Sequence, residues 1–186
     1  MIKFKYAHLL ILLPVVDGAW AKDPYVDIDT TMCREGEDIY ISCALDGGAD
    51  PYSYDGPVAS ICAKANVSPD VGYVQYRYGR PVDGALEQKI EMQFPEKKTP
   101  PRGIFRVYSS RNIDGADTAL RFSSGKYSYS FESHGLDGYK VVVRNQGREV
   151  FNKNCTLPGK NYLIDKAYDG IEYMDLGNQK MSELNE

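Results

Sequence analysis

Two histidines, four cysteines and 26 acidic side chains are the residues of this 186-residue chain suited to acid–base, nucleophilic or metal-binding chemistry. Nucleophilic catalysis needs a base within hydrogen-bond reach of its Ser or Cys. His8 lies in an apolar N-terminal run, which leaves His134 for that role. The stretch Ser133-His134-Gly135-Leu136-Asp137-Gly138 reads as a solvated turn, an ordinary setting for a non-catalytic histidine. Paired carboxylates can hydrolyse glycosides, but no Asp or Glu is set apart by its neighbours. Asp46, Asp50 and Asp55, or Asp114 and Asp117, are candidates for calcium. Neither group follows the D-x-[DN]-x-[DN]-G loop, and aspartates beside glycines form turns. Cys33, Cys43, Cys62 and Cys155 contain no C-x-x-C knuckle, so zinc is not expected. These residues point away from an enzyme, a bound metal and a cofactor.

The N-terminus explains how the cysteines are used. Lys3 and Lys5 precede an apolar run over residues 7–16, followed by Ala19-Trp20-Ala21, the small-x-small form that signal peptidase recognises. The run falls well short of the roughly twenty residues that span a bilayer, so residues 1–21 are expected to be a cleaved signal peptide rather than an anchor. No cysteine stands at the cleavage point to carry a lipid. An exported chain with an even number of cysteines predicts two disulfides. Three pairings are possible. The preferred one is Cys33–Cys43 with Cys62–Cys155, because the second bridge would tie an early strand to the last and close a long loop. The expected location is the periplasm.

Positioning falls to short strands. Residues 89–94 alternate Ile90, Met92 and Phe94 with polar neighbours, and residues 125–132 alternate Tyr127, Tyr129 and Phe131 with Lys126, Ser128, Ser130 and Glu132. Further strands are expected over 38–44, 58–64, 72–78, 104–110, 118–123, 139–144 and 149–155. Ser123-Ser124-Gly125-Lys126 and Asn145-Gln146-Gly147-Arg148 read as tight hairpin turns. The fold class is therefore all-β: an antiparallel β-sandwich or partly open barrel of about eight or nine strands, stapled by disulfides, over residues 22–160. A short irregular C-terminal tail, residues 161–186, is expected to dock in part through Tyr162, Leu163 and Ile164 and to be partly disordered.

Tyrosine is the unusual component, with 15 copies. Residues 72–80 place Tyr73, Gln75 and Arg77 on one face and Val74, Tyr76 and Tyr78 on the other, so whichever face points outward presents tyrosine. Tyr and Arg combine contact area with hydrogen bonding and are enriched at protein interfaces. The long connection over residues 46–57 adds Asp50, Tyr52, Tyr54 and Asp55. These seven residues form the candidate partner-binding set. The net charge of −4, one unit more negative without the leader, suits a basic protein partner and disfavours nucleic acid. Asn66-Val67-Ser68 and Asn154-Cys155-Thr156 match the glycosylation triplet, which carries little weight after a bacterial-type leader.

The four cysteines, the Ile61-Cys62-Ala63 block, Ser68-Pro69, Gly72-Tyr73-Val74-Gln75-Tyr76-Arg77-Tyr78-Gly79 and Ser124-Gly125-Lys126-Tyr127 carry a resemblance. The chain resembles a family of uncharacterised small secreted or periplasmic proteins from Gram-negative bacteria. The resemblance implies an exported β protein that keeps these cysteines as a set, and it transfers no catalytic residue. In that family's pattern the first two strands are joined by a short glycine-containing turn. Here the connection has grown into the 46–57 loop, as a member-specific contact device would.

Export, an acidic surface, a stapled β frame and an aromatic loop together suggest a periplasmic immunity or inhibitor protein. It would block a secreted antibacterial toxin, such as a cell-wall or membrane hydrolase delivered by type VI secretion. An envelope module that binds glycan or peptide is the first alternative, and a carboxylate-based envelope hydrolase the second.

Overall fold

The computed structural model describes residues 30–45, 56–80, 88–112, 115–135, 137–156 and 161–181. The leader expected over residues 1–21 and the aspartates Asp46 and Asp114 lie outside these.

All nine expected strands form: β1 (Asp38–Ala44), β2 (Val58–Lys64), β3 (Tyr73–Arg80), β4 (Lys89–Phe94), β5 (Phe105–Asn112), β6 (Gly115–Ser124), β7 (Tyr127–Ser133), β8 (Lys140–Asn145) and β9 (Arg148–Asn154). A short helix α1 (Lys166–Gly170) and a tenth strand β10 (Glu172–Asp175) follow. They make a sandwich of two sheets, ordered β1-β2-β3-β4 and β10-β5-β6-β7-β8-β9, and do not close into a barrel. Every pairing is antiparallel except that of β10 with β5. The expected turn after β8 has positive φ at both Gln146 and Gly147, the two-residue geometry that matches the twist of paired strands.

The core is built from the apolar faces that alternation assigns. Tyr76 sits at its centre, with ring centroids 5.0 Å from Phe122, 5.7 Å from Tyr129 and 6.2 Å from Phe131. Phe122 is itself stacked between Phe94 and Tyr129. One expected face is interrupted. Met92 and Phe94 pack on this core, whereas Ile90 packs with Met32, Ala44 and Val58 on the other side of the sheet. A register shift between Tyr78 and Gly79 pairs Tyr78 with Met92 but Gly79 with Ile90. The extra residue turns the following side chain to the opposite face.

The disulfides are Cys33–Cys62 and Cys43–Cys155, not the preferred pairing. Strand alternation supplies the reason. Cys43 lies in the inner core with Ile41, while Cys62 lies between the inward residues Ile61 and Ala63 and so points outward. A residue outside the sandwich reaches Cys62 but not Cys43. One bridge does tie an early strand to the end of the last hairpin, but it starts from Cys43 and spans 112 residues. Beside it, the Thr156 amide and hydroxyl both donate to the Ala44 carbonyl, at 2.8 and 3.0 Å, so β1 is fastened to the chain just beyond β9.

The segment after residue 160 contributes to both faces of the six-stranded sheet. Leu163, Ala167 and Ile171 are buried in the central core, and the Ile164 amide donates to the Tyr40 carbonyl. Further on, Leu176 and Met181 cover Tyr108 and Ala119 on the outer face. Asn66, from the first glycosylation triplet, is fully buried. It accepts from the Tyr40 hydroxyl at 2.7 Å and donates to the Ser68 and Val71 carbonyls. Among the described residues no helix is long and apolar enough to cross a membrane.

Helix α1 reaches this site because Gly170 has no side chain: a Cβ there would lie 2.1 Å from Asn66 Oδ1 and 2.5 Å from the Tyr40 oxygen. Gly170→Ala is expected to destabilise the protein by about 1–3 kcal/mol in chemical denaturation. Gly138→Ala, where a Cβ meets nothing within 4 Å, should stay within about 0.5 kcal/mol of the parent.

Candidate functional site

Tyr73, Gln75 and Arg77 do share the outer face of the four-stranded sheet, but that face is not free. Residues 30–37 lie across it as a strap. The Met32 amide donates to Ser60 Oγ at 3.0 Å, the Ser42 hydroxyl donates to the Thr30 carbonyl at 2.6 Å, and the two serine hydroxyls are 2.8 Å apart. The Cys33–Cys62 bridge anchors the strap covalently. Under it, Arg77 is 0% and Gln75 1% exposed, and Tyr73 is half-buried. Strand β3 is therefore covered on both sides, with Val74 and Tyr76 buried in the inner core. Alternation says which residues share a face, but not whether a further segment lies over it.

Arg77 and Glu37 explain why the strap sits there. The guanidinium donates to both carboxylate oxygens of Glu37, at 2.5 and 2.8 Å. It also donates to the Met32 carbonyl at 3.1 Å, Gln75 Oε1 at 2.8 Å and Gln93 Oε1 at 3.3 Å. These five bonds use every donor that an arginine has. Glu37 in turn accepts from the Arg34 amide and the Tyr73 hydroxyl, each at 2.7 Å. Burial pushes the Glu37 carboxyl up, but hydrogen bonds from Arg77, the Arg34 amide and Tyr73 outweigh it and hold the group down at about 2. Tyr73 is pushed up to about 12, first by burial and then by its bond to Glu37. Lys98, from the basic connection after β4, lies 4.7 Å from the Tyr73 ring centre. Cys33, Glu37 and Cys62 place possible metal donors within 4.8 Å of one another. Both sulfurs are joined to each other and Glu37 is held by Arg77, so this cluster is a structural staple.

Asp50, Tyr52, Tyr54 and Asp55 lie outside the described residues, but the strand ends on either side of them are described. Ala44 pairs with Val58, both fully buried, and the Leu45 amide donates to the Pro57 carbonyl at 3.0 Å. The Cys43–Cys155 bridge and the two Thr156 bonds meet at this stem. The chain therefore enters and leaves residues 46–55 where the two sheets are crosslinked.

Two further groups lie on the six-stranded sheet. Glu132 accepts from Arg144 at 2.9 Å and Ser130 at 2.7 Å. Burial raises its carboxyl, yet the bonds from Arg144 and Ser130 win and lower it. An ionised, twice-bonded carboxylate is an acceptor rather than a general acid. His134 is half-exposed, with Nδ1 3.6 Å from Asp117 and Nε2 3.8 Å from Glu132. The second group, Arg106, Tyr108, Arg121, Phe122 and Ser123, lines a surface cleft of about 490 Å³ together with Phe94 of β4 and with Gly103 and Ile104 from the connection before β5. Sequence reasoning missed Glu37, Glu132 and this arginine-lined cleft. The available signal was an arginine inside an alternating strand, which demands a counter-charge if that face is buried.

Comparison of the chain with protein-family models, curated proteins and solved structures found no match. The fold and geometry define a class by themselves: a two-sheet β-sandwich stapled by two disulfides, with one face of the four-stranded sheet strapped and the β1–β2 stem crosslinked to the end of the last hairpin.

The Glu37 carboxyl is depressed from 4.5 in the unfolded chain to about 2 in the fold. Its contribution is complete above the unfolded value and is lost as pH falls through the folded one. Stability should drop between pH 5 and pH 2 by on the order of 3 kcal/mol from this group. Glu37→Gln should be less stable at neutral pH by about 3–5 kcal/mol, because Arg77 loses its counter-charge, and should show a flatter acid profile. Denaturant melts at stepped pH check both.

Proposed function

We propose that the chain is a periplasmic immunity or inhibitor protein that binds and blocks a secreted antibacterial toxin, a cell-wall or membrane hydrolase of the kind delivered by type VI secretion. The crosslinked stem of the 46–55 loop carries this reading. A recognition loop loses affinity to its own ordering, and anchoring its root on a rigid frame reduces that loss. Here the root is fixed by a disulfide, a sheet bridge and a buried strand pair.

Composition suits the same role. Tyr52 and Tyr54 bring large contact area at low entropy cost, and Asp50 and Asp55 bring negative charge. On a chain of net charge −4, they would steer a basic partner and speed its association. The contact set contracts relative to the sequence expectation: Gln75 and Arg77 hold the strap, so recognition falls to the loop, with the partly exposed Tyr73–Lys98 pair at most a neighbour.

The test is capture from lysates of the source species and its close relatives by the oxidised protein, followed by assay of what is captured. One stoichiometric secreted hydrolase, inhibited on binding, is expected; its full activity in the complex, or failure to capture any hydrolase, removes the reading. With that partner in hand, joint Tyr52→Ala and Tyr54→Ala substitution should weaken binding by at least about tenfold. The melting temperature should not move. Unchanged affinity would place recognition elsewhere.

A further inference from the structure

The turn between β2 and β3 has its polarity inverted. Across residues 65–72 the buried side chain is polar, and the exposed ones are apolar except for Asp70. Asn66 is 0% exposed, whereas Val67 is 69% and Val71 44% exposed, and Ala65 faces water as well. The arrangement is held from within. The Asn66 side chain donates to the Ser68 and Val71 carbonyls, each at 2.8 Å, and the Arg102 amide donates to the Pro69 carbonyl at 3.0 Å. Gly72 closes the turn so tightly that a Cβ there would lie 2.3 Å from the Lys64 carbonyl oxygen. The bonds that bury Asn66 thus keep two valines in water, where an apolar surface from outside the chain would relieve them.

Basic side chains surround the turn. Lys64 ends β2 beside it, and Lys97, Lys98 and Arg102 come from the connection after β4; all four are exposed. Lys98 lies 4.7 Å from the ring centre of Tyr73, the residue that pairs with Lys64 across the turn. Most acids nearby are already engaged. Glu37 is buried against Arg77, and Asp38 accepts from Lys166 at 2.6 Å. Asp70 and Glu172 both accept from Arg102, at 2.6 and 3.1 Å. Glu96 and, on α1, Asp169 are set against Lys64, Lys97 and Lys98. The chain's net charge of −4 does not decide the matter, because charges more than about 8 Å away are largely screened at physiological salt.

Valine is under-represented among the residues that dominate protein interfaces, and lysine is depleted there. A bilayer surface asks for neither shape nor hydrogen-bond complementarity. Aliphatic side chains enter the boundary between headgroups and acyl chains, while lysines reach anionic headgroups on long stems.

We infer that this turn docks the protein on an anionic lipid surface. Val67 and Val71 enter the boundary, and Lys64, Lys97 and Lys98 meet the headgroups. Residues 46–55 adjoin β2 at Val58 and the turn adjoins it at Lys64, about 20 Å apart at about 3.3 Å per residue. Lipid contact and partner contact therefore use opposite ends of one strand, and each is tested without the other.

The experiment is vesicle flotation of the oxidised protein recovered after export. One set of vesicles holds one part phosphatidylglycerol to two of phosphatidylcholine, and the other phosphatidylcholine alone. The protein is expected to float with the anionic vesicles and to bind the neutral ones at least about tenfold more weakly. Val67→Ser with Val71→Ser should weaken binding by about tenfold, and Lys97→Gln with Lys98→Gln by at least about tenfold. All four positions are exposed, so the melting temperature should stay in place. Trp20, in the leader, is the single tryptophan, so Val67→Trp places a reporter on the turn. Its emission should shift to the blue on anionic vesicles. Absence of flotation, equal flotation with neutral vesicles, or unchanged binding in either paired variant overturns the proposal. So does emission from the Val67→Trp protein that stays water-like on bound vesicles. Release by inorganic phosphate at constant ionic strength would show a headgroup pocket in place of surface docking, and loss of protein capture in the valine variant without any vesicle binding would put a protein there; both overturn it.

Discussion

A guanidinium with no exposed surface is the constraint on which the four-stranded half of the molecule depends. Removing a charge from water costs several kcal/mol unless a counter-charge and a full set of hydrogen bonds replace the solvent. Arg77 finds both only because residues 30–37 cross the sheet and bring Glu37 and the Met32 carbonyl to it. The strap, the Ser42–Ser60 pair beneath it and the Cys33–Cys62 bridge are consequences of the same demand. Replacing the ion pair with apolar residues of similar volume would solve the burial problem as well, so its use here favours one strap position over others rather than maximal stability.

The two halves are joined in a different way. Between the sheets the contacts are aromatic and non-directional, centred on Tyr76 and Phe122. At the β1 edge they are covalent and directional, through Cys43–Cys155 and the Thr156 bonds. A two-layer sandwich gains most of its free energy from burial, which sets which faces meet but leaves sliding of the layers less constrained. The bridge spanning 112 residues removes that freedom at one edge and restricts the unfolded chain. The chain runs into residues 46–55 and returns from them at that same edge, between Leu45 and Pro57.

Polar groups on the outer faces are arranged by the same principle at lower stakes. Glu132, held by Arg144 and Ser130, and Glu172, held by Arg102 and the Gly103 amide, organise the arginines of the six-stranded sheet. Arg106 and Arg121 are directly opposite each other in the register of β5 and β6.

Much of the fold was legible in the sequence because it depends on local periodicity. Nine strands, the turn at Gln146-Gly147 and the inward placement of Tyr129 and Phe131 follow from alternation and turn chemistry within a few residues. Export with two disulfides was likewise an expectation from local patterns, and the two bridges form. What the sequence could not determine involves residues distant in the chain. The pairing of Cys43 with Cys155, the outward turn of Ile90 at a bulge and the covering of Gln75 and Arg77 all depend on which surfaces meet after the sheets assemble. Alternation assigns a side chain to a face, but tertiary packing decides whether that face meets water. A buried arginine and an exposed one have the same pattern in sequence, and only the arrival of Glu37 from 40 residues away distinguishes them.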